Sequence, residues 1–180
     1  DQVITYLDDR NDIEIIISDE TNQIFDTGGG IKKALPFLGN KPFFTCNSDI
    51  IWHDKYQEAL RGLLSAWKNN NMDALLLLKS IDSAFGYNGK GDFFMEPSGR
   101  VKRKKAGESA PFVFAGLQLI KPNIFEEYPE EPFSLNNIFD KLLSNGRLFG
   151  FVYNGNWLHI GDIDGLKIAE NYFDSHSNSK

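Results

Sequence analysis

The chain has 180 residues, a formal net charge of −6 and one cysteine, Cys46. That length suits a single domain with a sizeable core; the acidic balance excludes the dense basic face that nucleic acid requires; and a lone cysteine excludes an internal disulfide and argues against a four-ligand structural zinc. No apolar run reaches the roughly 18 residues of a spanning helix and no signal-peptide pattern opens the chain, so the expectation is a soluble, cytoplasmic protein with no membrane partner.

Residues 1–9 place Val3, Ile4 and Leu7 on one side and charges on the other, as in the last turns of a helix. Residues 13–18 form a β-branched run, apolar on both faces, and predict a buried strand. A polar loop through Asp19, Glu20, Thr21 and Asn22 leads to Gly28, Gly29 and Gly30. Three glycines let a backbone approach a ligand and turn without a Cβ penalty. A helix over 31–38 that starts on them points unpaired N–H groups and its positive dipole end into the loop. The apolar strand 43–46 then delivers Asn47, Ser48 and Asp49 at its carboxyl end, where open α/β sheets bind ligands. Loop and carboxylate together predict an anion site with a metal. Strand, loop, helix and strand is also the rhythm of a parallel α/β sheet.

Leu60, Leu63, Leu64 and Trp67 recur at helical spacing, so 56–68 predicts a helix that buries this face. Residues 74–78 form the next buried strand. The segment 80–91, with three glycines and an aromatic pair, reads as a surface loop. Residues 92–95 and 101–105 flank a Pro97-Ser98-Gly99 turn as a hairpin. The basic run Lys102, Arg103, Lys104 and Lys105 has a solvated strand as its plainer reading, against contact with phosphate. The strand 112–120 carries an interior glycine, Gly116, which marks a bulge or a close approach. A helix over 133–144 has Ser134 as N-cap and is closed by Asn145 and Gly146. Residues 148–153 form a strand, followed by Asn154-Gly155-Asn156 and the run 157–162, with Asp162 a sufficient N-cap for the last helix. That terminal helix, over 163–173, is expected to pack through Leu166, Ile168, Ala169 and Tyr172, ahead of a polar, frayed tail. No repeat or linker interrupts this order, and residues 1–180 are expected to form one domain.

Several of these stretches together resemble a known family. Asp26-Thr27-Gly28-Gly29-Gly30, the helix ending Ala34-Leu35-Pro36-Phe37-Leu38-Gly39, and Pro42-Phe43-Phe44 before Asn47-Ser48-Asp49 are similar to bacterial sugar-1-phosphate nucleotidyltransferases. The resemblance continues through Gly89-Lys90-Gly91-Asp92-Phe93, Phe114-Ala115-Gly116, Phe133-Ser134-Leu135-Asn136 and Trp157-Leu158-His159-Ile160-Gly161. It covers nearly the whole chain, in order, and is nearest the branch of N-acetylmuramate-1-phosphate uridylyltransferases and mannose-1-phosphate guanylyltransferases. It implies a Rossmann-like, mostly parallel α/β fold. It also implies a reaction in which a sugar 1-phosphate attacks the α-phosphorus of a nucleoside triphosphate, with Mg²⁺ as cofactor.

By the same resemblance, Thr27, Gly28 and Gly29 lie against the nucleotide base, and Asp49 holds the metal and is catalytic. Asn47, Asp92, Gly116 and Trp157 stand on the sugar side, and His159 is a second neighbour of metal or phosphate. Plainer readings stand beside these: a helix-start turn for the glycines, turn chemistry for Asp92, a bulge for Gly116 and core for Trp157. His159 departs from the uridylyltransferase pattern, where an aspartate stands at this place.

The larger departure is an absence. The family's opening strand, its Gly-x-Gly-x-Arg triphosphate loop and its Pro-Lys pair are not in this sequence. The resemblance thus implies an N-terminally truncated domain, with a separate chain as one source of the missing part and an inactive sugar-nucleotide-binding remnant as the alternative. In the family's strand order, residues 13–18 would have no neighbour and strand 43–46 would have an open edge.

Overall fold

The computed structural model describes residues 2–8, 10–53 and 56–177. Its contacts divide the chain into two units, Asp1–Lys41 with Pro122–Ile138, and Pro42–Lys121 with Phe139–Lys180.

In the first unit, helix α1 spans Gln2–Asp8 and α2 spans Asp26–Leu38. The strand expected over 13–18 is not formed. These residues belong to no ladder, and Ile13, Ile16 and Ile17 are 62%, 52% and 44% exposed. A strand is stable only against a neighbour, and no described segment pairs with this one. A second correction concerns the glycines. They do not form a loop ahead of a helix: Gly28, Gly29 and Gly30 lie in the first turns of α2. A short 3-10 turn at Pro122–Phe125 packs on α2, and Lys32 Nζ donates to Phe125 O at 3.0 Å.

The second unit is built on a mixed sheet. Its strands are β1 (Phe43–Cys46), β3 (Ala74–Ser80), β4 (Phe93–Met95), β5 (Val101–Arg103), β6 (Phe112–Ile120) and β7 (Leu148–Val152). β3 pairs with β7 in parallel, while β6 runs antiparallel to β3, β1 and β4. β4 and β5 form the expected hairpin. A separate two-stranded ladder joins β2 (Ile50–His53) to β8 (Asn156–His159), which the sequence did not foretell.

β3 is a solid run of leucines because both of its faces are covered. One face carries Leu75 and Leu77, which pack with Val113, Ala115 and Leu117 of β6 against Ala59 and Leu63 of helix α3 (Tyr56–Ala66). The buried face of α3 is rotated from the expected one. Leu60 and Leu64 are exposed, and Gly62 comes so close to Phe151 that a Cβ there would lie 2.4 Å from its ring. The opposite face of β6 meets helix α4 (Leu135–Ser144), where the Phe114 and Phe139 rings stand edge to face at 5.8 Å.

An ion-pair knot ties the strand starts together. Asp73 accepts two bonds from Arg147 at 2.9 Å each and one from Lys121 at 3.0 Å, just where β3 and β7 begin and β6 ends. The Arg147 guanidinium, then Lys121, holds the Asp73 carboxyl below the usual carboxylate range. The basic run is partly paired as well, Lys102 with Glu96 and Arg103 with Asp140. Helix α5 (Ile163–Ser177) is capped as expected by Asp162, whose Oδ1 accepts from Gly165 N at 2.7 Å. Of its expected packed side, Ala169 is buried and Tyr172 packs against His53 and Phe85, while Leu166 and Ile168 are exposed, contrary to the expectation.

Candidate functional site

In the second unit the chain reverses direction at two neighbouring points, and the reversals bring Asp49 and His159 together. Asp49 leads into β2 and His159 closes β8. These strands pair Ile50 with His159, and Ile160 N donates to Asp49 O at 2.8 Å. The result places His159 Nε2 3.6 Å from Asp49 Oδ2, with the side chains 29% and 45% exposed. Gly161 keeps the space between them open, since a Cβ there would lie 2.7 Å from His159 Cε1 and 3.1 Å from Asp49 Oδ2. Burial, and then the Asp49 charge, pushes the nearby Cys46 thiol up from its ordinary pKa.

A bulge in β6 supports the same region. Leu76 pairs with Gln118 and Leu78 with Phe114, so Ala115, Gly116 and Leu117 stand opposite Leu77 alone. The carbonyls of Ala115 and Gly116 are used instead by the candidate residues: Ala115 O accepts from Trp157 Nε1 at 3.0 Å, and Gly116 O accepts from Asn47 N at 2.8 Å. Gly116 has φ +74°, and a Cβ there would lie 2.7 Å from Ile50 Cδ1 and 3.1 Å from Asn47 Cβ. Both the conformation and the space require glycine. Trp157 is 1% exposed, and its indole N–H is fully engaged with the bulge. Behind it, buried Lys79 donates to Gly155 O at 2.8 Å, and burial lowers its pKa.

Asp92 has a different set of contacts. Its Oδ2 accepts from Phe114 N at 2.9 Å and its own N–H donates to Phe112 O at 2.7 Å, which joins the hairpin to β6. Tyr87, which the sequence left inside a surface loop, stands with its ring edge-on to His159 and to Trp157. Burial, followed by the Asp92 charge, raises its phenol pKa against the opposing effect of a bond from Gly91 N.

Thr27, Gly28 and Gly29 belong to the first unit and have structural partners there. Gly28 N and Gly29 N both donate to Phe133 O, at 2.9 and 3.1 Å, and Phe133 N donates back to Phe25 O at 3.1 Å. Thr27 Oγ1 accepts from Leu135 N at 3.0 Å and so caps the start of α4 beside Ser134. The two amides expected to face an anion are therefore directed at a protein carbonyl.

No protein-family profile matches the chain. It is 40% identical over 156 residues to N-acetylmuramate alpha-1-phosphate uridylyltransferase of Caulobacter vibrioides, covering 87% of this chain and 64% of that protein. The enzyme of the same name from Neisseria meningitidis serogroup B is 25% identical over 159 residues, covering 88% and 66%. The fold is shared with the inositol-1-phosphate CTP transferase from T. maritima, at a TM-score of 0.71, 16% identity and coverage of 96% and 70%. The chain thus spans about two thirds of the length of these two uridylyltransferases.

Proposed function

We propose that this chain, a stretch of the sugar-1-phosphate nucleotidyltransferase family, supplies one part of a site that transfers a nucleoside monophosphate from a nucleoside triphosphate to a sugar 1-phosphate. The products are a nucleotide sugar and pyrophosphate. The observation that carries the reading is the half-exposed Asp49–His159 pair at the β2–β8 turn, with Gly161 keeping its gap open.

The residues present fit Mg²⁺ when it arrives with phosphates. Asp49 offers a hard carboxylate oxygen, and Mg²⁺ is commonly held by one or two carboxylates with waters and substrate phosphates. No group of three His, Cys, Asp or Glu side chains converges among the described residues, so a cage made of protein alone is not what the site offers. Bound there, the ion would neutralise charge on the phosphates. His159, a nitrogen donor less suited to Mg²⁺, would take a phosphate oxygen or a bound water. Asn47 and Gly116 give the sugar side a fixed backbone, Trp157 backs it from within the core, and Asp92 fixes the hairpin to β6. Of the residues assigned to the nucleotide base, Thr27 is exposed, while Gly28 and Gly29 are buried against Phe133 and Glu131 and would shape that side through the backbone they hold in place. We read residues 1–180 as part of one nucleotidyltransferase domain in the cytoplasm. No described helix is long and apolar enough to cross a membrane.

A second reading, an inactive sugar-nucleotide-binding remnant, is favoured by residues 13–18 and by the second edge of β1, neither of which has a ladder partner among the described residues. Both gaps call for added strands, from the same polypeptide or a separate chain. One experiment separates the readings. Pyrophosphate release is measured from each nucleoside triphosphate with N-acetylmuramate or mannose 1-phosphate. The assay uses this chain alone, then mixed with the third of the Caulobacter relative that it does not match. The active reading expects turnover only in the mixture, and expects Asp49→Asn to lower it at least about a hundredfold. Turnover that survives Asp49→Asn removes Asp49 from the site, and an inert mixture supports the remnant.

A further inference from the structure

We infer that the segment 84–92 is a strap whose Tyr87 ring positions the His159 imidazole toward Asp49. The strap is fastened to β8 by its backbone. Phe85 N donates to Trp157 O at 3.3 Å and His159 N donates to Phe85 O at 3.0 Å, so Phe85 lies along Leu158 as a short parallel bridge. β8 is held between β2 on one side and this bridge on the other.

Three glycines then bring the strap down onto its target. Gly86, at φ +72°, lies against the backbone of His159 itself: a Cβ there would stand 2.6 Å from His159 O. Gly89 makes room for the Tyr87 ring, which a Cβ would meet at 2.3 Å. Gly91, at φ +66°, turns under Ala110 O and directs its N–H onto Tyr87 Oη at 3.1 Å. A loop with no partner would need none of these close approaches. Here each one fixes either the phenol or the residue beside it.

The ring so fixed is set edge-on to His159, at 6.5 Å and 88°, and to Trp157, at 6.4 Å and 63°. Trp157 in turn lies under His159 at 6.0 Å and 30°. The imidazole is bounded by an indole and a phenol, and its Nε2 is directed at Asp49 Oδ2. An edge-to-face ring contact fixes orientation more than it adds energy. Tyr87 is a positioning residue, and it acts through His159.

The consequence for turnover rests on the function proposed above, whereas the positioning does not, and the test reads the two separately. The imidazole resonances of His159, assigned by their loss in His159→Gln, are followed in this chain for Tyr87→Phe, Tyr87→Leu and Gly89→Ala. Tyr87→Phe keeps the ring but loses the bond from Gly91 N, and is expected to shift the resonances least. Tyr87→Leu removes the ring current and Gly89→Ala displaces the ring, so both are expected to shift them. In the chain mixed with the complementary third of the Caulobacter relative, the two shifting variants are expected to lower kcat by about tenfold to a hundredfold, with both KM values held within twofold. Tyr87→Phe is expected to lower kcat least of the three. Resonances unmoved in Tyr87→Leu and Gly89→Ala, or moved equally by Tyr87→Phe, overturn the positioning. Moved resonances with undiminished kcat overturn its part in the reaction. A parent mixture without turnover counts against the proposed function alone, and the resonances still decide the strap.

Discussion

Gly28→Ala sets two physical effects against each other, and the structure predicts which prevails. Helix propensity alone makes the change stabilising by about 1 kcal/mol, because alanine loses less backbone freedom than glycine. Packing acts the other way. The added methyl would stand 2.4 and 2.6 Å from two atoms of the Phe133 ring and 2.9 Å from Phe133 O. Ordinary contact is about 3.5–4.0 Å, so the ring must retreat by about 1 Å. The same residue's carbonyl accepts from both Gly28 N and Gly29 N, so retreat lengthens both bonds. Overpacking costs about 1–3 kcal/mol, and each weakened bond about 0.5–1 kcal/mol more. Against the propensity gain, the net is a loss of about 2 kcal/mol. With a urea m-value of about 2 kcal/mol per molar, the midpoint should fall by about 1 M. Hydrogen exchange at the Gly28 and Gly29 amides should speed up at the same time. Gly30→Ala is the control, because its nearest neighbour is the flexible end of Glu20, Oε1, at 2.7 Å, and it should be neutral or slightly stabilising. A midpoint for Gly28→Ala equal to or above the parent's would refute the packing account of these glycines.

The ion pairs of Asp73 and the exposed residues 13–18 each give a further outcome. The Asp73 carboxyl, depressed by Arg147 and Lys121, should contribute stability that is fully present above its unfolded pKa of about 4 and vanishes as pH falls through the lower folded value. Asp73→Asn should therefore be less stable than the parent at pH 7 and converge with it in acid; a pH-independent gap in urea midpoints would reject the linkage. The exposed isoleucines of residues 13–18 should make this chain associate as concentration rises, and Ile16→Lys should shift sedimentation toward the monomer. Identical profiles for the two proteins would clear this segment of that role.

What the sequence disclosed, and what it withheld, divides along one physical line. Signals that act within a few residues were legible: the buried leucine run of β3, the hairpin around Gly99, the caps at Ser134 and Asp162, and the irregularity at Gly116. The family resemblance drawn from the motifs is matched by the relatives and by the shared fold. Features decided by a distant partner were not legible. Three glycines argue locally against a helix, yet contact with the segment 131–133 places them in one. The stripe Leu60, Leu63, Leu64 and Trp67 fits helical spacing, but so does a neighbouring stripe through Ala59, Gly62 and Leu63, and the bulk of Phe151 selects the latter. Residues 13–18 have every propensity of a strand and no described strand to pair with. Tyr87 was passed over because a loop rich in glycine looks the same whether it is slack or clamped.

The bulge of β6 has one consequence that concerns parity. Three residues there stand against one of β3, an excess of two. Because side chains alternate with a period of two, an excess of two leaves the faces unchanged: Val113 before the bulge and Leu117 at its far end share the core face toward α3. An excess of one would leave two residues to share the place opposite Leu77, an ordinary bulge that keeps the outer pairs as well. What the extra residues supply is therefore the pair of carbonyls taken by Trp157 and Asn47. Deletion of Ala115 and Gly116 together should keep Val113 and Leu117 on the core face and lose both of those bonds.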